Sequence, residues 1–291
     1  MSGTAARLPG FPAASRCLVM GVVNVTPDSF SDGGRWFGTT AAIAHGMQLA
    51  AEGADIVDVG GESTRPGAER ITEAEELART EPVVTALAQA GITVSVDTTR
   101  AVVAERALAV GARLVNDVSG GLADPAMAGL IARTGVPYIV VHWRGPSATM
   151  QELAVYEDVV AEVRDELSQR VAALTAAGVR PEQLIIDPGL GFAKLPSHNW
   201  ALLARLAALA VLDHPAGPFP VLVGASRKRF IGRLLASGSG APRPPLECDD
   251  ATVAMTALAA AAGAWCVRVH AVPGNADAVR VAARWNEEMR A

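Results

Sequence analysis

The sequence predicts an α/β fold of eight βα units, a (β/α)8 TIM barrel in a single domain. Two observations carry this prediction. Within 291 residues, short runs rich in β-branched residues alternate eight times with longer segments of helical character, an alternation that favours a parallel barrel. The short runs are also apolar throughout, which is typical of parallel strands covered by helices.

A doubly wound sheet is the competing fold, because it is also built from alternating strands and helices. The count of eight favours the barrel. A doubly wound nucleotide-binding fold would also tend to carry a glycine fingerprint after its first strand, whereas NVTPDSF follows the first strand here. We therefore expect a flexible lead over 1–16 and one barrel domain over 17–291.

The eight predicted strands are short and contain Val, Ile or both, residues that favour strands. The first four are CLVMGVVNV (17–25), DIVDVGG (55–61), TVSVDT (93–98) and RLVNDVS (113–119). The last four are PYIVVHW (137–143), LIIDPG (184–189), PVLVGAS (220–226) and WCVRVH (265–270).

Helices are predicted between the strands, in segments rich in Ala, Leu, Glu and Arg, which are good helix formers. Their ranges are 39–53, 72–91, 99–111, 124–135, 152–178, 198–210, 249–264 and 275–290. Several of these segments end in glycine, a frequent residue at a helix C-terminus. The Gly-, Pro- and Ser-rich stretch 237–247 is interpreted as an insertion between the seventh strand and the helix that covers it.

Composition excludes several classes of protein. The net charge is −5 with acidic and basic residues mixed, which argues against a general nucleic-acid or membrane-surface binder. Cys17, Cys248 and Cys266 are far apart, and no CxxC or Cys/His cluster suggests a zinc site. The longest apolar run, 254–267, is shorter than the ~20 residues that span a bilayer. These features predict a cytoplasmic protein.

Polar residues stand at or near the end of every predicted strand, where barrels of this type collect functional groups. In strand order they are Asn24, the segment 60–67, Asp97, Asn116 with Asp117, His142, Asp187, the segment 226–228, and Arg268 with His270. A single polar residue after a strand is often only a helix cap or a turn former. Eight together predict a functional site.

Two rare residue types strengthen this prediction. The chain has five Asn, and two of them, Asn24 and Asn116, interrupt apolar strands. It has two Lys against 23 Arg, yet Lys228 stands between two arginines, so a compact ammonium group is specifically useful there. The alternative is a solvated basic face that opens a helix.

The mixture of charges at the strand ends predicts a phosphate-bearing heterocycle as ligand. One set of side chains can meet an anion: Arg65, Arg227, Arg268 and His270. Another set can pair with the N–H donors of a flat nitrogen heterocycle: Asp97, Asn116 and Asp187. Asn24 can offer its carbonyl oxygen to Mg²⁺, which often holds phosphates with few protein ligands.

Seven motifs in order make the chain resemble the dihydropteroate synthase family, pterin-binding barrels of the folate pathway that sulfonamide drugs block. The motifs are GVVNVTPDSFSDGG, DVGGESTRPGA, SVDTTR, VNDVSGG, DPGLGFAK, GASRKRF and VRVH. The resemblance covers roughly residues 17–290, and no key motif is missing. It implies a transferase that joins 4-aminobenzoate to (7,8-dihydropterin-6-yl)methyl diphosphate, with Mg²⁺ as cofactor, and a homodimer formed through the outer helices of the C-terminal half.

The resemblance also implies roles for individual residues. The pterin would lie on Asp97, Asn116, Asp187 and Lys228. The diphosphate would meet Asn24, Arg65, Arg268 and His270, with Asn24 binding Mg²⁺. Aminobenzoate would lie among Thr64, Pro66, Phe192, Lys228 and Arg229, closed over by Phe30 and Asp32. Catalysis would rest on Asp97, Asp187, Lys228, Arg268 and His270.

Two further positions receive plainer interpretations. Ser226 is predicted to cap the helix that begins after the seventh strand, and His142 is interpreted as a group behind the site, without a catalytic role. Two other functions compete with the transferase. A pterin-binding methyltransferase barrel needs no diphosphate site, and the paired glycines and Arg65 of GGESTRPG argue against it. A non-catalytic paralogue would show broken loop motifs, and none is broken.

Overall fold

A computed structural model of the chain describes residues 8, 11, 15–26, 38–63, 70–146, 149–238 and 240–290. All eight predicted strands are confirmed within the predicted limits. They are β1 (Leu18–Asn24), β2 (Ile56–Gly60), β3 (Val94–Asp97), β4 (Leu114–Asp117), β5 (Tyr138–Val141), β6 (Leu184–Asp187), β7 (Leu222–Val223) and β8 (Cys266–Val269). Every pairing between these strands is parallel.

The strands close into a ring, which confirms the barrel over the doubly wound sheet. Their order in the sheet is β6-β5-β4-β3-β2-β1-β8-β7. The ends of this order meet through a parallel bridge between Ile186 and Val221, where the Ile186 N–H donates to the Pro220 carbonyl at 2.9 Å.

Helices lie between the strands, as predicted. They are α1 (Thr39–Ala51), α2 (Glu73–Gln89), α3 (Ala101–Ala109), α4 (Met127–Thr134), α5 (Val159–Ala176), α6 (Pro196–Ala204), α7 (Leu206–Leu209), α8 (Arg229–Leu234), α9 (Asp249–Ala261) and α10 (Pro273–Glu288). The prediction of one helix over 152–178 is wrong in its first part, because α5 begins only after Asp158. The Asp158 side chain accepts the N–H groups of Val160 and Ala161 and so caps the helix there.

Alternate residues of each strand face the barrel interior. On seven of the strands they form an apolar layer of their own, whereas β3 places Ser95 beside Leu114. This inner layer consists of Met20, Ile56, Leu114, Ile139, Ile185, Leu222 and Cys266. The residues between them, such as Val57, Val115 and Val267, join the larger core between sheet and helices. Burial on both faces explains why the strands are apolar throughout.

The described residues of the lead segment 1–16 contact the end of the barrel where the strands begin. Leu8 is buried against the inner layer, and Phe11 packs beside it. The Phe11 ring lies edge-on to Trp265, with 6.3 Å between ring centroids. Arg16 holds the Asp55 carboxylate with two hydrogen bonds of 2.8 and 2.9 Å. These contacts cover the closed end of the barrel, opposite the strand C-termini.

Two general features of the described residues bear on the predictions from composition. The three cysteines are buried and free. Of the helices in the described part of the chain, none has the length and apolarity that a bilayer crossing requires.

Candidate active site

A polar layer lies directly above the apolar inner layer, toward the strand C-termini. Because side chains alternate along a strand, the residue two positions after an inward-facing residue also faces inward. Asp58 therefore follows Ile56, Asn116 follows Leu114, and Asp187 follows Ile185. By the same alternation Arg268 follows Cys266 on β8.

The register of the sheet places the predicted residues side by side. Asn24 pairs with Gly60, Gly60 with Asp97, and Asp97 with Asn116, along one row across β1 to β4. Gly60 leaves space within this row: a Cβ there would lie 3.4 Å from the Asp97 Cβ and 3.7 Å from Asn24 Oδ1. The structure thus brings Asn24, Asp97 and Asn116 together, as the sequence predicts.

Arg268 organises the centre of this layer. Its Nε donates to Asp58 Oδ2 at 2.6 Å, and its Nη2 donates to Asp97 Oδ2 at 2.8 Å. The Asn116 amide donates to the same Asp58 oxygen at 3.0 Å. One guanidinium therefore joins two carboxylates and, through Asp58, an amide. We call these four residues, Asp58, Asp97, Asn116 and Arg268, the mouth network.

Asp58 is the member that the sequence analysis missed. It is fully buried in the middle of β2, and its Oδ1 has no hydrogen-bond partner among the described residues. The signal was present, since a carboxylate inside an apolar strand is costly unless it is paired. The predicted residues lie at the strand ends, whereas the polar layer begins at Asp58, two residues before the end of β2.

Burial and the neighbouring charges set the protonation of the network. Burial raises the pKa of Asp97 to about 7, although the Arg268 guanidinium opposes that rise. Burial likewise raises the pKa of Asp187, against the Gly189 N–H and the Lys228 ammonium, which favour its charged form. For Arg268, burial acts to lower the pKa, but Asp58 and Asp97 outweigh it and the net pKa is raised. The guanidinium is a fixed positive charge at the centre of the mouth.

Asp187 ends β6 and begins a loop that we call the rim loop, residues 188–195. Its Oδ1 accepts the Gly189 N–H at 2.7 Å. Its Oδ2 lies beside Gly224, where a Cβ would be 3.6 Å away. Glycine at position 224 places no side chain against this oxygen.

Phe192 and Lys228, both predicted to line the aminobenzoate site, are in contact with each other. The Lys228 Nζ lies 4.0 Å from the centroid of the Phe192 ring, a cation–π distance. Gly191 has a φ of +80°, and a Cβ there would lie 3.1 Å from Lys228 Cδ, so glycine makes room for the lysine stem. Burial and the charge of Arg268 lower the pKa of Lys228 to about 8.

Two predictions around the seventh strand are corrected. Ser226 does not cap α8; its Oγ lies 3.0 Å from His270 Nδ1 and accepts the His270 backbone N–H at 3.2 Å. Arg227, predicted to meet an anion, pairs with Asp249 through bonds of 2.8 and 2.9 Å. Ser226 therefore orients His270, and Arg229 is exposed in the first turn of α8.

The remaining predicted residues lie outside the described part of the chain. They are Phe30 and Asp32 after β1, and Thr64, Arg65 and Pro66 after β2. The ends of the second connection are described, and Arg100 joins them. Its guanidinium pairs with Glu62 at 2.9 Å, donates to the Ile71 carbonyl at 2.6 Å, and pairs with the buried Glu76. We call Glu62, Glu76 and Arg100 the outer clamp.

A magnesium ion would fit the mouth only if oxygens of the substrate supplied several of its ligands. Among the described residues, no three His, Cys, Asp or Glu side chains are grouped as a metal site. Asn24 contributes one neutral amide oxygen at the end of β1, beside the space that Gly60 leaves. Mg²⁺ commonly keeps few protein ligands and takes the rest from phosphates and water, so these residues fit that ion when a diphosphate is bound.

Comparison with known proteins places this arrangement in one family. The model of the pterin binding enzyme family matches residues 20–270. The dihydropteroate synthase of Mycobacterium leprae (strain TN) is 57% identical over 268 residues, covering 92% of this chain and 93% of that protein.

Solved structures agree with the sequence relatives. The Xanthomonas albilineans dihydropteroate synthase with 4-aminobenzoic acid aligns with a TM-score of 0.83 at 42% identity, covering 95% of this chain and 94% of that one. The Yersinia pestis enzyme in a sulfonamide complex aligns with a TM-score of 0.87 at 37% identity and 98% coverage of both chains. These are enzymes of the same fold over nearly their whole length.

Proposed function

Because the chain belongs to the dihydropteroate synthase family of pterin binding enzymes, we propose that it joins 4-aminobenzoate to (7,8-dihydropterin-6-yl)methyl diphosphate with Mg²⁺ bound. The products are 7,8-dihydropteroate and diphosphate. The observation that carries this proposal is the polar layer itself, in which carboxylates and cations occupy one barrel mouth at hydrogen-bond distance.

The pterin subsite is formed by Asp187, Asn116, Asp97 and Lys228. A pterin has an edge of adjacent N–H donors, and a carboxylate accepts from such an edge with charge-assisted hydrogen bonds. The Oδ2 of Asp187, against which Gly224 places no side chain, supports this role. Asn116 and Asp97 lie on the other side of the mouth, linked through Arg268 and Asp58, so the same network fixes their orientation.

The diphosphate subsite includes Asn24, Arg268 and His270, and the family motif GGESTRPG assigns Arg65 to it as well. Arg268 is already paired with two carboxylates, and this pairing holds its guanidinium in place before a ligand arrives. Ser226 fixes the His270 ring. When bound, Mg²⁺ would neutralise charge on the diphosphate oxygens, and Asn24 would be its protein ligand.

The reaction breaks the bond between the pterin methylene carbon and the diphosphate oxygen and forms a bond from that carbon to the aminobenzoate nitrogen. As the first bond breaks, positive charge develops on the pterin methylene and negative charge on the leaving group. Asp97 and Asp187 stabilise the former, while Arg268 and His270 stabilise the latter, which is electrostatic preorganisation at both ends of one bond. The neutral aromatic amine already has a lone pair, so no strong general base is needed to activate it. The nitrogen becomes cationic when the new bond forms, and it then loses one proton to water, which gives the neutral amine of dihydropteroate.

The aminobenzoate subsite includes Phe192, Lys228 and Arg229, and the family motifs assign Phe30, Asp32, Thr64 and Pro66 to it as well. The Phe192 ring offers an apolar face, and the exposed Arg229 offers a cation to the carboxylate of the substrate. The Yersinia pestis relative in its sulfonamide complex supports the further proposal that sulfonamides compete with aminobenzoate here.

Product formation tests the proposal. Purified chain is incubated with both substrates and Mg²⁺, and dihydropteroate is detected by mass spectrometry, with an Arg133→Met variant as a control because Arg133 lies on α4 away from the mouth. Both proteins should form dihydropteroate and release one diphosphate for each molecule. A folded wild-type chain that forms no dihydropteroate would refute the function.

A homodimer through α9 and α10 is supported by apolar side chains exposed on these adjacent helices. They are Leu258 on α9, Val281 and Trp285 on α10, and Met289 just after it, each at least 65% exposed. A cluster of large exposed apolar residues is typical of a protein interface. Trp285→Glu should convert a dimer to a monomer in analytical ultracentrifugation, and a wild-type chain that sediments as a monomer would contradict this proposal.

A further inference from the structure

Both lysines of the chain contact the same residue, Phe192. Lys228 lies against its ring, with Nζ 4.0 Å from the ring centroid. Lys194 lies against its backbone, with Nζ donating to the Phe192 carbonyl at 3.1 Å. The chain has 23 arginines and no other lysine, so the coincidence calls for a physical account of Lys194, which the proposed reaction does not use.

Lys194 is buried, with 4% of its surface exposed. A lysine in such a position needs hydrogen-bond acceptors for its amino group. The second acceptor is His142 at the end of β5, whose Nδ1 lies 2.9 Å from Lys194 Nζ. The lysine therefore bridges the rim loop to the barrel wall.

The tautomer of His142 determines which group donates in the hydrogen bond between His142 and Lys194. Its Nε2 lies 2.9 Å from Glu166 Oε2 on α5, and Arg144 donates to Glu166 as well, at 3.0 Å. Burial acts to raise the pKa of Glu166, but hydrogen bonds from His142 and Arg144 lower it to about 2, so Glu166 is a carboxylate that accepts from Nε2–H. Burial lowers the pKa of His142 to about 4. The neutral ring then has a lone pair on Nδ1, and Lys194 is the donor.

A guanidinium could not replace the amino group here. Burial lowers the pKa of Lys194 to about 7, and an amine that loses its proton still keeps two N–H donors for its two acceptors. Arginine remains charged when buried and presents a planar fork of donors. A single nitrogen that serves a carbonyl and an imidazole suits lysine, which explains why this arginine-rich chain has lysine at this position.

The rim loop has the geometry of a segment that must be held. Gly189 and Gly191 have φ values of +65° and +80°, and Ala193 has a φ of +48°. A Cβ at Gly189 would lie 2.2 Å from the His142 carbonyl oxygen, so loop and wall are in tight contact at its start. Asn199 accepts the Gly191 N–H at 2.7 Å. Among the described residues, Lys194 is the donor to the Phe192 carbonyl, and this hydrogen bond fixes the loop at Phe192 itself.

We propose that Lys194, aligned by His142 and Glu166, is a positioning residue that holds the Phe192 ring against Lys228 in the aminobenzoate subsite. The inference rests on the proposed function, because it assigns Phe192 to the binding of aminobenzoate. Lys194 acts through Phe192 and does not touch the substrate. Its loss should therefore affect aminobenzoate and spare the pterin, because the Phe192 ring belongs to the aminobenzoate subsite, whereas Asp187 is held separately by the Gly189 N–H.

Lys194→Met tests this inference, because methionine keeps the length of the stem and removes both donated hydrogen bonds. The KM for aminobenzoate should rise about tenfold, the effect of losing one buried hydrogen bond. The Kd for the pterin diphosphate should stay within about twofold of wild type, since no group of that subsite is changed. Gln151→Ala is the matched control, because it removes a different hydrogen bond to the same loop, from Gln151 to the Gly191 carbonyl at 3.3 Å. The KM of this variant for aminobenzoate should equal that of wild type.

A double-mutant cycle separates positioning from general loosening. In a Phe192→Ala background, Lys194→Met should raise the KM for aminobenzoate no further, because the ring that it positions is gone. If Lys194→Met raises the KM by the same factor with and without the Phe192 ring, or raises the pterin Kd equally, the inference is wrong.

Two His142 variants decide the matter if Lys194→Met does not fold. An asparagine amide reaches the place of Nδ1, whereas a glutamine amide reaches the place of Nε2. His142→Gln should raise the KM for aminobenzoate several-fold, about half the effect of Lys194→Met in free energy, and His142→Asn should stay close to wild type. Equal values for the two variants would overturn the inference. A folded wild-type chain that forms no dihydropteroate refutes the proposed function, whereas an active wild type with an unchanged KM in the variants refutes only the role of Lys194.

Discussion

The mouth network and the outer clamp are built from the same parts, yet they face different surroundings. Each has one arginine that holds two carboxylates: Arg268 holds Asp58 and Asp97, and Arg100 holds Glu62 and Glu76. Each includes one carboxylate that is almost completely buried, Asp58 or Glu76.

The difference lies in what else each arginine contacts. Arg100 donates to the Ile71 carbonyl at 2.6 Å, and the Thr98 hydroxyl donates to Glu76 at 2.6 Å. The outer clamp therefore joins the ends of the connection from β2 to α2. The mouth network stands on inward-facing strand positions that lead to the open end of the barrel. Burial and ion pairing are common to both networks and so do not distinguish a binding site. The distinguishing feature is that the side chains of the mouth network face the barrel interior near its open end.

The largest effect on catalysis is expected from Arg268→Met. Removing the guanidinium deprives the leaving diphosphate of a preorganised cation, and kcat/KM should fall by about 10²–10³-fold. It also leaves two buried carboxylates without their partner, which costs about 3–5 kcal/mol of unfolding free energy. Initial rates and urea unfolding measure the two effects. If the folded variant keeps a rate within threefold of wild type, Arg268 does not contribute to catalysis.

Asp187→Asn should weaken pterin binding while the barrel stays folded. The amide is similar in size but carries no charge, so charge-assisted hydrogen bonds to the pterin edge are lost and the Kd should rise by about 10–100-fold. Calorimetric titration with the pterin substrate measures it, and Asp165→Asn, on the exposed side of α5, is the control. Wild-type affinity in the Asp187 variant would contradict the pterin subsite.

Arg100→Met should separate the clamp from the mouth. It leaves the buried Glu76 without its cation, so the free energy of unfolding should fall by about 3–5 kcal/mol. The pterin Kd should remain within about twofold of wild type, because the groups of the pterin subsite lie inside the barrel and do not contact Arg100. A pterin Kd that rises as much as in Asp187→Asn would show that the two networks act as one.

The smallest expected effect is on the pH dependence of kcat/KM for aminobenzoate. Burial lowers the pKa of Lys228 to about 8, so its ammonium group loses its proton as the pH rises past that value. The value of kcat/KM for aminobenzoate, which reports the free enzyme, should fall above about pH 8. Lys228→Arg is less active but stays charged, so its profile should be flat there. A decline of the same size in both proteins would assign the titration to another group.

The sequence predicted the barrel and the inward row because both follow from local regularities. Eight βα alternations predict the closed sheet, and polar residues at the ends of apolar strands predict Asn24, Asp97, Asn116 and Asp187. Once the register is known, the alternation of side chains places these residues together. A residue within the strand, Asp58, follows the same rule and could have been predicted from it.

The errors concern partners that are distant in sequence or backbone that is locally unusual. Arg227 pairs with Asp249, 22 residues later, and its φ of +58° is rare for a residue with a side chain. Ser226, predicted to cap a helix, has its partner at the end of another strand, at His270. Such contacts depend on how the whole barrel closes, which a strand and its flanking residues do not determine.

We propose that one barrel mouth holds the pterin and the diphosphate at the same time. The most direct test is calorimetric titration of 6-hydroxymethylpterin into the wild-type chain, with and without Mg²⁺ and diphosphate. If both subsites share the mouth network, Mg²⁺ and diphosphate should tighten pterin binding by about 5–150-fold, the usual range for coupled sites. An unchanged pterin Kd would contradict the claim.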